Sequence, residues 1–128
     1  MAEYGITRQV DTGFEETIER VKDELADHGF GVLSEIDVAS KLREKLDVEF
    51  DDYRILGACS PRHAHRALEK EQELGLLLPC NVIVYRESGE TFVAVIDPVE
   101  ALDVAENDDL EPIAAEVRDE LQSVLASV

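Results

Sequence analysis

Basic residues, and lysine above all, are scarce in this sequence. Its 128 residues include 30 aspartates and glutamates against 12 lysines and arginines, only four of which are lysines, so the formal net charge is -18. Self-repulsion on this scale destabilises a compact chain in dilute buffer, but molar salt shortens the screening length to about 3 Å. An acidic protein that simply binds a cationic partner would leave the shortage of lysine unexplained. The composition therefore predicts an acidic surface adapted to concentrated salt, with a halophilic archaeon as the source.

The sequence also lacks the features that mark nucleic-acid binding, secretion and membrane insertion. There is no basic stripe to neutralise phosphates, so we expect no nucleic-acid partner. Residues 1–5 contain no basic region followed by an apolar one, and no apolar run is long enough to span a bilayer. We therefore expect a cytoplasmic protein with no membrane partner.

Internal repeats, low-complexity linkers and glycine-rich phosphate motifs are absent too. Without a G-x-G-x-x-G or Walker pattern, a doubly wound nucleotide-binding fold is a poor fit. Hydrophobic residues make up 45% of the chain, which is far more than acidic disordered tails contain. The sequence therefore predicts one folded domain that spans residues 1–128.

The first half of the chain predicts alternating strands and helices. A short strand over residues 4–10 precedes a capping box at Thr12–Glu15, which would begin a helix that Gly29 ends. Residues 32–37 predict a second strand, and residues 38–46 predict a short helix. The expected inward residues of the two helices are Phe14, Ile18, Val21 and Leu25, then Ala39, Leu42 and Leu46.

The second half predicts a third strand, a helix, a hairpin and a last helix. The strand covers residues 53–59, and Ser60 and Pro61 begin a helix that runs to about residue 74. Two strongly β-prone runs, 82–85 and 92–96, flank a turn and predict an antiparallel hairpin. The last helix begins near Asp109 and buries Ile113, Val117, Leu121, Val124 and Leu125. The predicted fold class is α+β, a two-layer arrangement with a mostly antiparallel sheet and helices packed on one face.

Soft donor side chains gather around the third strand. Apart from His28, they are Cys59, His63, His65 and Cys80. On a helix that starts at Pro61, positions 63 and 65 lie about 200° apart, so at most one of these histidines can join a metal site. Cys59, Cys80 and His63 could together bind zinc or iron, although the paired cysteines of structural zinc sites are missing. We therefore keep this metal site only as a third hypothesis.

The two cysteines also have interpretations that need no metal. Cys59 precedes a helix N-terminus, where free amides and the helix dipole favour a thiolate, and Arg62 adds positive charge. Cys80 would lie beside Cys59 if their strands are neighbours. Both could equally be small buried hydrophobic residues, as free cysteines most often are. Tyr53, Tyr85 and Arg54 lie on predicted strands, where pocket lining and sheet packing explain them equally well.

Two segments resemble the family known as domain of unknown function 302. They are residues 55–61, of sequence Ile-Leu-Gly-Ala-Cys-Ser-Pro, and residues 75–82, of sequence Gly-Leu-Leu-Leu-Pro-Cys-Asn-Val, within a resemblance that covers residues 3 to 105. The family's cysteine-x-proline turn corresponds to Cys59 and Pro61, and its leucine-proline-cysteine motif to residues 78–80. Ser60 stands where family members commonly have asparagine, and His63 and His65 are outside the pattern. The resemblance implies a TATA-binding-protein-like α+β topology and a homodimer, without an established reaction.

Three functions are compatible with these observations. The first is a non-catalytic, dimeric small-ligand-binding or accessory domain with a cleft near Cys59 and Cys80, which predicts a pocket and no depressed thiol pKa. The second is a thiol-based redox or sulfur-handling protein that uses Cys80 with Cys59. The third is the metal site. No cofactor is identified, and the candidate ligand-binding or redox residues are Cys59, Ser60, Arg62, Pro79, Cys80 and Asn81.

Overall fold

Five strands form one antiparallel sheet in the computed structural model, which describes residues 3–128. They are β1 (Gly5–Val10), β2 (Gly31–Asp37), β3 (Tyr53–Cys59), β4 (Cys80–Glu87) and β5 (Glu90–Ile96). Their order across the sheet is β1-β5-β4-β3-β2, and every neighbouring pair is antiparallel. The predicted hairpin is therefore confirmed as β4–β5, and β1 and β2 form the two edges of the sheet.

Helices α1 (Phe14–Asp27) and α5 (Glu111–Ser127) cover one face of this sheet. The four predicted inward residues of α1 and the five of α5 are all buried, which confirms both apolar stripes. Opposite them, alternate strand residues fill the core, since successive side chains of a strand point to opposite faces. These strand residues are Leu56, Ala58, Val82, Val84, Val93 and Val95. The predicted α+β class with helices on one face is thus confirmed.

Three shorter helices connect the layers: α2 (Val38–Leu46), α3 (Pro61–Lys70) and α4 (Pro98–Leu102). Helix α3 ends earlier than expected, because a separate 3-10 helix covers Gln72–Leu77. Ala67 and Leu74 from this region pack with α5 residues in a second, smaller core. Of the helices in residues 3–128, none combines the length and the apolar character needed to cross a membrane.

The predicted capping box at the start of α1 is wrong. Gly13, and not Thr12, is the N-cap residue, and no side chain caps the helix. Because the helix begins one residue later than expected, Thr12 and Glu15 do not occupy the N-cap and N3 positions that a capping box requires. The Thr12 hydroxyl instead lies 2.6 Å from the hydroxyl of Thr17, and Glu15 pairs with Arg54.

The predicted burial of α2 is also wrong. Asp37 caps this helix by accepting a hydrogen bond from the Ser40 amide at 3.0 Å. None of its nine residues is buried, and Leu46 is 66% exposed. Its main contact is with β3, so it lies outside the layer that α1 and α5 form over the sheet. Leu42 and Leu46 therefore have the helical spacing of buried residues, but α2 does not pack them into the core.

Candidate functional site

The sheet face that α1 and α5 leave open is apolar. On this face Tyr53 pairs with Tyr85, and Tyr85 pairs with Phe92. Two residues further along the strands, Ile55 pairs with Ile83, and Ile83 pairs with Ala94. A sheet with one solvated face normally shows polar residues there. The open face is therefore more apolar here than a solvated sheet face normally is.

Aromatic rings form a continuous row across one end of this face. The ring centroids of Tyr53 and Tyr85 lie 5.7 Å apart with an interplanar angle of 24°. Those of Tyr85 and Phe92 lie 5.3 Å apart at 17°. Phe50, from the loop after α2, adds a tilted contact with Tyr53 at 6.2 Å. These distances are typical of favourable aromatic pairs, so the row presents flat, ordered apolar surface.

A groove of about 1050 Å³ lies over this apolar floor. Residues 49–51 line it near the aromatic row, whereas Tyr4, Asn81 and Ile96 line it further along the sheet. The volume is just above the usual range of about 300–1,000 Å³ for small-molecule sites, which combine apolar walls with a few polar groups. Asn81 supplies an amide that can both donate and accept hydrogen bonds. The groove has the size and chemistry to hold a flat, apolar molecule.

Beside Asn81, the chain packs closely around Gly57. A Cβ on this glycine would lie 2.9 Å from Pro79 Cγ and would also contact the Ser34 hydroxyl oxygen. Gly57 pairs directly with Asn81, and Ala58 with Cys80, so the leucine-proline-cysteine segment enters β4 beside the end of β3. Glycine at position 57 thus allows Pro79 to approach the open face of the sheet.

Cys59 and Cys80 are free thiols on neighbouring strands. Cys80 packs against the main core. Strand alternation directs Cys59, which follows the Cys80 partner Ala58, to the opposite face. Burial raises the pKa of the Cys80 thiol to about 11, and the nearby Cys59 thiol adds to this shift. Burial also raises the pKa of Cys59. Both shifts favour the neutral thiol over the thiolate, which is the opposite of the effect expected from the helix N-terminus at Cys59.

Ser60 and His63 form a local hydrogen-bonded unit at the start of α3. Ser60 Oγ lies 2.7 Å from His63 Nδ1, and His63 Nε2 lies 3.2 Å from a carboxylate oxygen of Glu116 on α5. Both imidazole nitrogens are therefore engaged, which ties α3 to α5. Arg62 is exposed. Within residues 3–128, no cluster of three or more His, Cys, Asp or Glu side chains is arranged to hold a metal ion.

Arg54 lies on the helix-covered face, away from the groove. Its guanidinium contacts Glu35 at 2.7 Å and Glu15 at 3.0 Å, and lies 5.5 Å from the centroid of the Phe14 ring. A hydrogen bond from Lys22, then one from Arg54, lowers the pKa of Glu35. These contacts join α1, β2 and β3, so Arg54 stabilises the fold.

Of the six residues predicted to bind a ligand, the structure brings only Asn81 to the groove. Tyr53 and Tyr85, which were compatible with pocket lining, are part of its floor. The groove is also lined by residues that were not among the candidates predicted from the sequence: Phe50, Ile55, Ile83, Phe92 and Ala94. The sequence does contain a pattern that indicates the four strand residues of this set. Strands β3, β4 and β5 carry apolar residues at both odd and even positions. Such strands are covered on both faces.

Comparisons with known proteins agree with this architecture. The family model described as "Domain of unknown function DUF302" matches residues 6–128. The crystal structure of an uncharacterized conserved DUF302 protein from Bacillus stearothermophilus superimposes with a TM-score of 0.92 and 35% sequence identity, over 98% of each chain. No curated protein matches the chain at a significant level. This chain belongs to the DUF302 family.

Proposed function

We propose that this chain is a non-catalytic, small-ligand-binding accessory domain that works as a homodimer in the cytoplasm of a salt-adapted cell. Its ligand lies in the groove on the open face of the sheet. The observation that carries this proposal is the ordered apolar floor, with Tyr53, Tyr85 and Phe92 stacked across it. The ligand class is a flat, largely apolar molecule with one polar group that reaches Asn81.

The thiol chemistry supports ligand binding over the redox hypothesis. A redox-active cysteine needs an accessible thiolate, because the thiolate is the nucleophile. Burial raises the pKa of both Cys59 and Cys80, which disfavours that form near neutral pH. The proposed ligand site is therefore the groove and not the surroundings of the two cysteines. Of the six candidate residues predicted from the sequence, it includes Asn81.

Two further observations support the salt-adapted homodimer. Among residues 3–128, no aspartate or glutamate is buried, so the charge of -18 lies at the surface, where salt can screen it. The open sheet face exposes contiguous apolar side chains that a second copy would cover. A two-fold dimer is the commonest assembly of this kind.

A fluorescence titration tests the ligand site. The probe is N-phenyl-1-naphthylamine, an apolar aromatic amine that is uncharged near neutral pH, so the net charge of the protein does not bias its binding. Ala94→Trp fills the middle of the groove floor without removing any core residue. We expect this variant to bind the probe at least about tenfold more weakly than the unmodified chain, equivalent to about 1.4 kcal/mol.

The matched control is Ala126→Trp, at an exposed position of α5. It should leave probe affinity unchanged. Equal affinity of the Ala94→Trp variant and the unmodified chain would contradict the groove as the ligand site. Circular dichroism and light scattering confirm that each variant keeps its fold and its oligomeric state.

A further inference from the structure

Helix α2 has a charge opposite to that of the whole chain. It carries Lys41, Arg43 and Lys45 against Glu44, a formal charge of +2 in a chain of -18, although Asp37 and Asp47 flank it as its caps. Arg43 pairs with Glu49 at 3.0 Å, and Lys41 lies 3.7 Å from Glu44. Lys41 and Lys45 lie one turn apart and share one side of the helix. The side of the helix that carries Lys41 and Lys45 therefore offers basic groups in a protein whose surface is otherwise strongly acidic.

Apolar side chains accompany this positive surface. Leu42 and Leu46 form a second stripe beside the two lysines, and Leu46 is 66% exposed. A helix of nine residues is marginal without packing. Within residues 3–128, five of the nine large exposed hydrophobic residues lie between positions 33 and 50: Leu33, Ile36, Leu46, Val48 and Phe50. This part of the molecule has the character of a surface that another molecule covers.

The groove has the complementary character. Its charged lining residues are Glu49, Asp51, Glu87 and Arg86. Because Glu49 is already paired with Arg43 of the same chain, the other three leave a formal charge of -1. The Arg86 guanidinium donates a hydrogen bond to the Gly89 carbonyl at 2.9 Å, which directs it to the β4–β5 turn. Burial, together with the charge of Glu87, raises the pKa of Tyr85. The mouth of the groove near the aromatic row is thus acidic above an apolar floor.

The helix and the groove are neighbours in the same chain. Only residues 47 and 48 separate the end of α2 from Glu49, the first loop residue that lines the groove. When a projecting element and a complementary recess lie side by side, a two-fold axis can place each element in the recess of the other copy. Such an interface joins two copies into a closed dimer and leaves no equivalent surface free to bind a third copy.

We infer that α2 of one copy lies across the acidic mouth of the groove of a second copy. Leu42 and Leu46 pack towards the aromatic row, while Lys41 and Lys45 face Asp51 and Glu87. This inference rests on the homodimer of the proposed function and names its interface. In the dimer, each copy encloses the ligand of the other.

Exchange of the charges tests this pairing. One variant carries Lys41→Glu and Lys45→Glu, and a second carries Asp51→Lys and Glu87→Lys. Each variant alone juxtaposes like charges at both contacts, so its dimer should dissociate at least about tenfold more readily. A mixture of the two restores an attractive pair at both contacts. Native mass spectrometry should therefore show mainly the mixed dimer, measured at the lowest salt concentration that keeps the unmodified chain folded.

Matched controls change the same number of charges away from the proposed interface. Arg20→Glu with Lys70→Glu matches the first variant, and Glu69→Lys with Glu73→Lys matches the second; all four residues are exposed. Neither control pair should weaken the dimer. A test that does not depend on salt compares Leu46→Glu, which should dissociate the dimer, with Leu76→Glu, at a residue that is 85% exposed.

The outcomes separate this inference from the proposal on which it rests. If the unmodified chain is dimeric but the charge exchanges and Leu46→Glu leave the dimer intact, the α2 interface is wrong and the homodimer stands. Pairing of two free β2 edges would be one such arrangement. If the unmodified chain is a monomer in molar salt, the homodimer and the α2 interface both fail, while the probe titration still tests the groove.

Discussion

Pro79 packs against Gly57, with its Cγ 2.9 Å from the position that a Cβ on residue 57 would occupy. The Ser34 side chain crowds the same position from the neighbouring strand β2. The Ser34 hydroxyl can rotate away about χ1, but Pro79 cannot retreat cheaply, because its ring is rigid. The absence of a side chain at position 57 is therefore a requirement of the fold beside Asn81.

Gly57→Ala should lower the free energy of unfolding by about 1–3 kcal/mol, as overpacking of a close contact does. Urea unfolding in molar salt measures the change. Gly75→Ala is the matched control, because a Cβ there meets no atom within 4 Å, and it should change stability by less than about 0.5 kcal/mol. Equal stability of the two variants would show that Pro79 and Ser34 adjust freely.

The thiols should react as partly buried, neutral groups. Because the pKa of Cys80 is raised to about 11 and that of Cys59 is also raised, alkylation by iodoacetamide should be slow at pH 7 and accelerate only in alkaline solution. Cys59→Ala and Cys80→Ala variants assign each reaction. A thiol that reaches half of its maximal reactivity below pH 8 would revive the redox hypothesis.

Glu35 should make stability depend on pH. Its hydrogen bond from Lys22, and then that from Arg54, lowers its pKa from 4.5 in the folded chain. This stabilisation is complete above pH 4.5 and is lost as the pH falls through the folded-state pKa. Glu35→Gln should therefore cost about 0.5–1 kcal/mol at pH 7 and progressively less in acid. Glu73→Gln, at an exposed position, controls for the change of charge. If Glu35→Gln lowered the free energy of unfolding equally at every pH, this linkage would be contradicted.

Salt should decide whether the chain folds. At molar salt the screening length is about 3 Å, whereas at 0.01 M it is about 30 Å. With a charge of -18, self-repulsion should unfold the protein as salt is diluted from molar to millimolar concentration. Circular dichroism follows this transition. An unchanged spectrum and an unchanged unfolding midpoint at millimolar salt would refute the adaptation to salt.

Local patterns were sufficient to predict the main helices and the hairpin. Val21 and Leu25 lie on a stripe that one helix defines alone, and β4 and β5 are joined by a short turn. The pairing of strands that lie far apart in the sequence was harder to predict. Gly5 pairs with Ile96 across most of the chain, and no local signal specifies that neighbour. The same limitation applies to the groove, whose floor combines residues from several strands and takes shape only once the strand order is known.

Whether a side chain is buried was harder to predict than the helix or strand to which it belongs. Leu46 follows the helical spacing of an inward residue, yet it is exposed, because spacing defines a face of α2 without defining what that face meets. For Cys59 the helix N-terminus suggested a lowered pKa, but burial determines the direction of the shift. In both cases the tertiary surroundings outweigh the local pattern.

The most direct test of the ligand site is to map where a bound probe lies. Backbone amide chemical shifts of isotopically labelled protein in molar salt, recorded with increasing N-phenyl-1-naphthylamine, report this position. The groove predicts the largest saturable changes at Ile55, Ile83 and Ala94, with smaller changes on α1. Saturable changes centred on Cys59, Ser60 and Cys80, with none at Ile83 and Ala94, would contradict it and return the ligand to the cysteine end of the sheet.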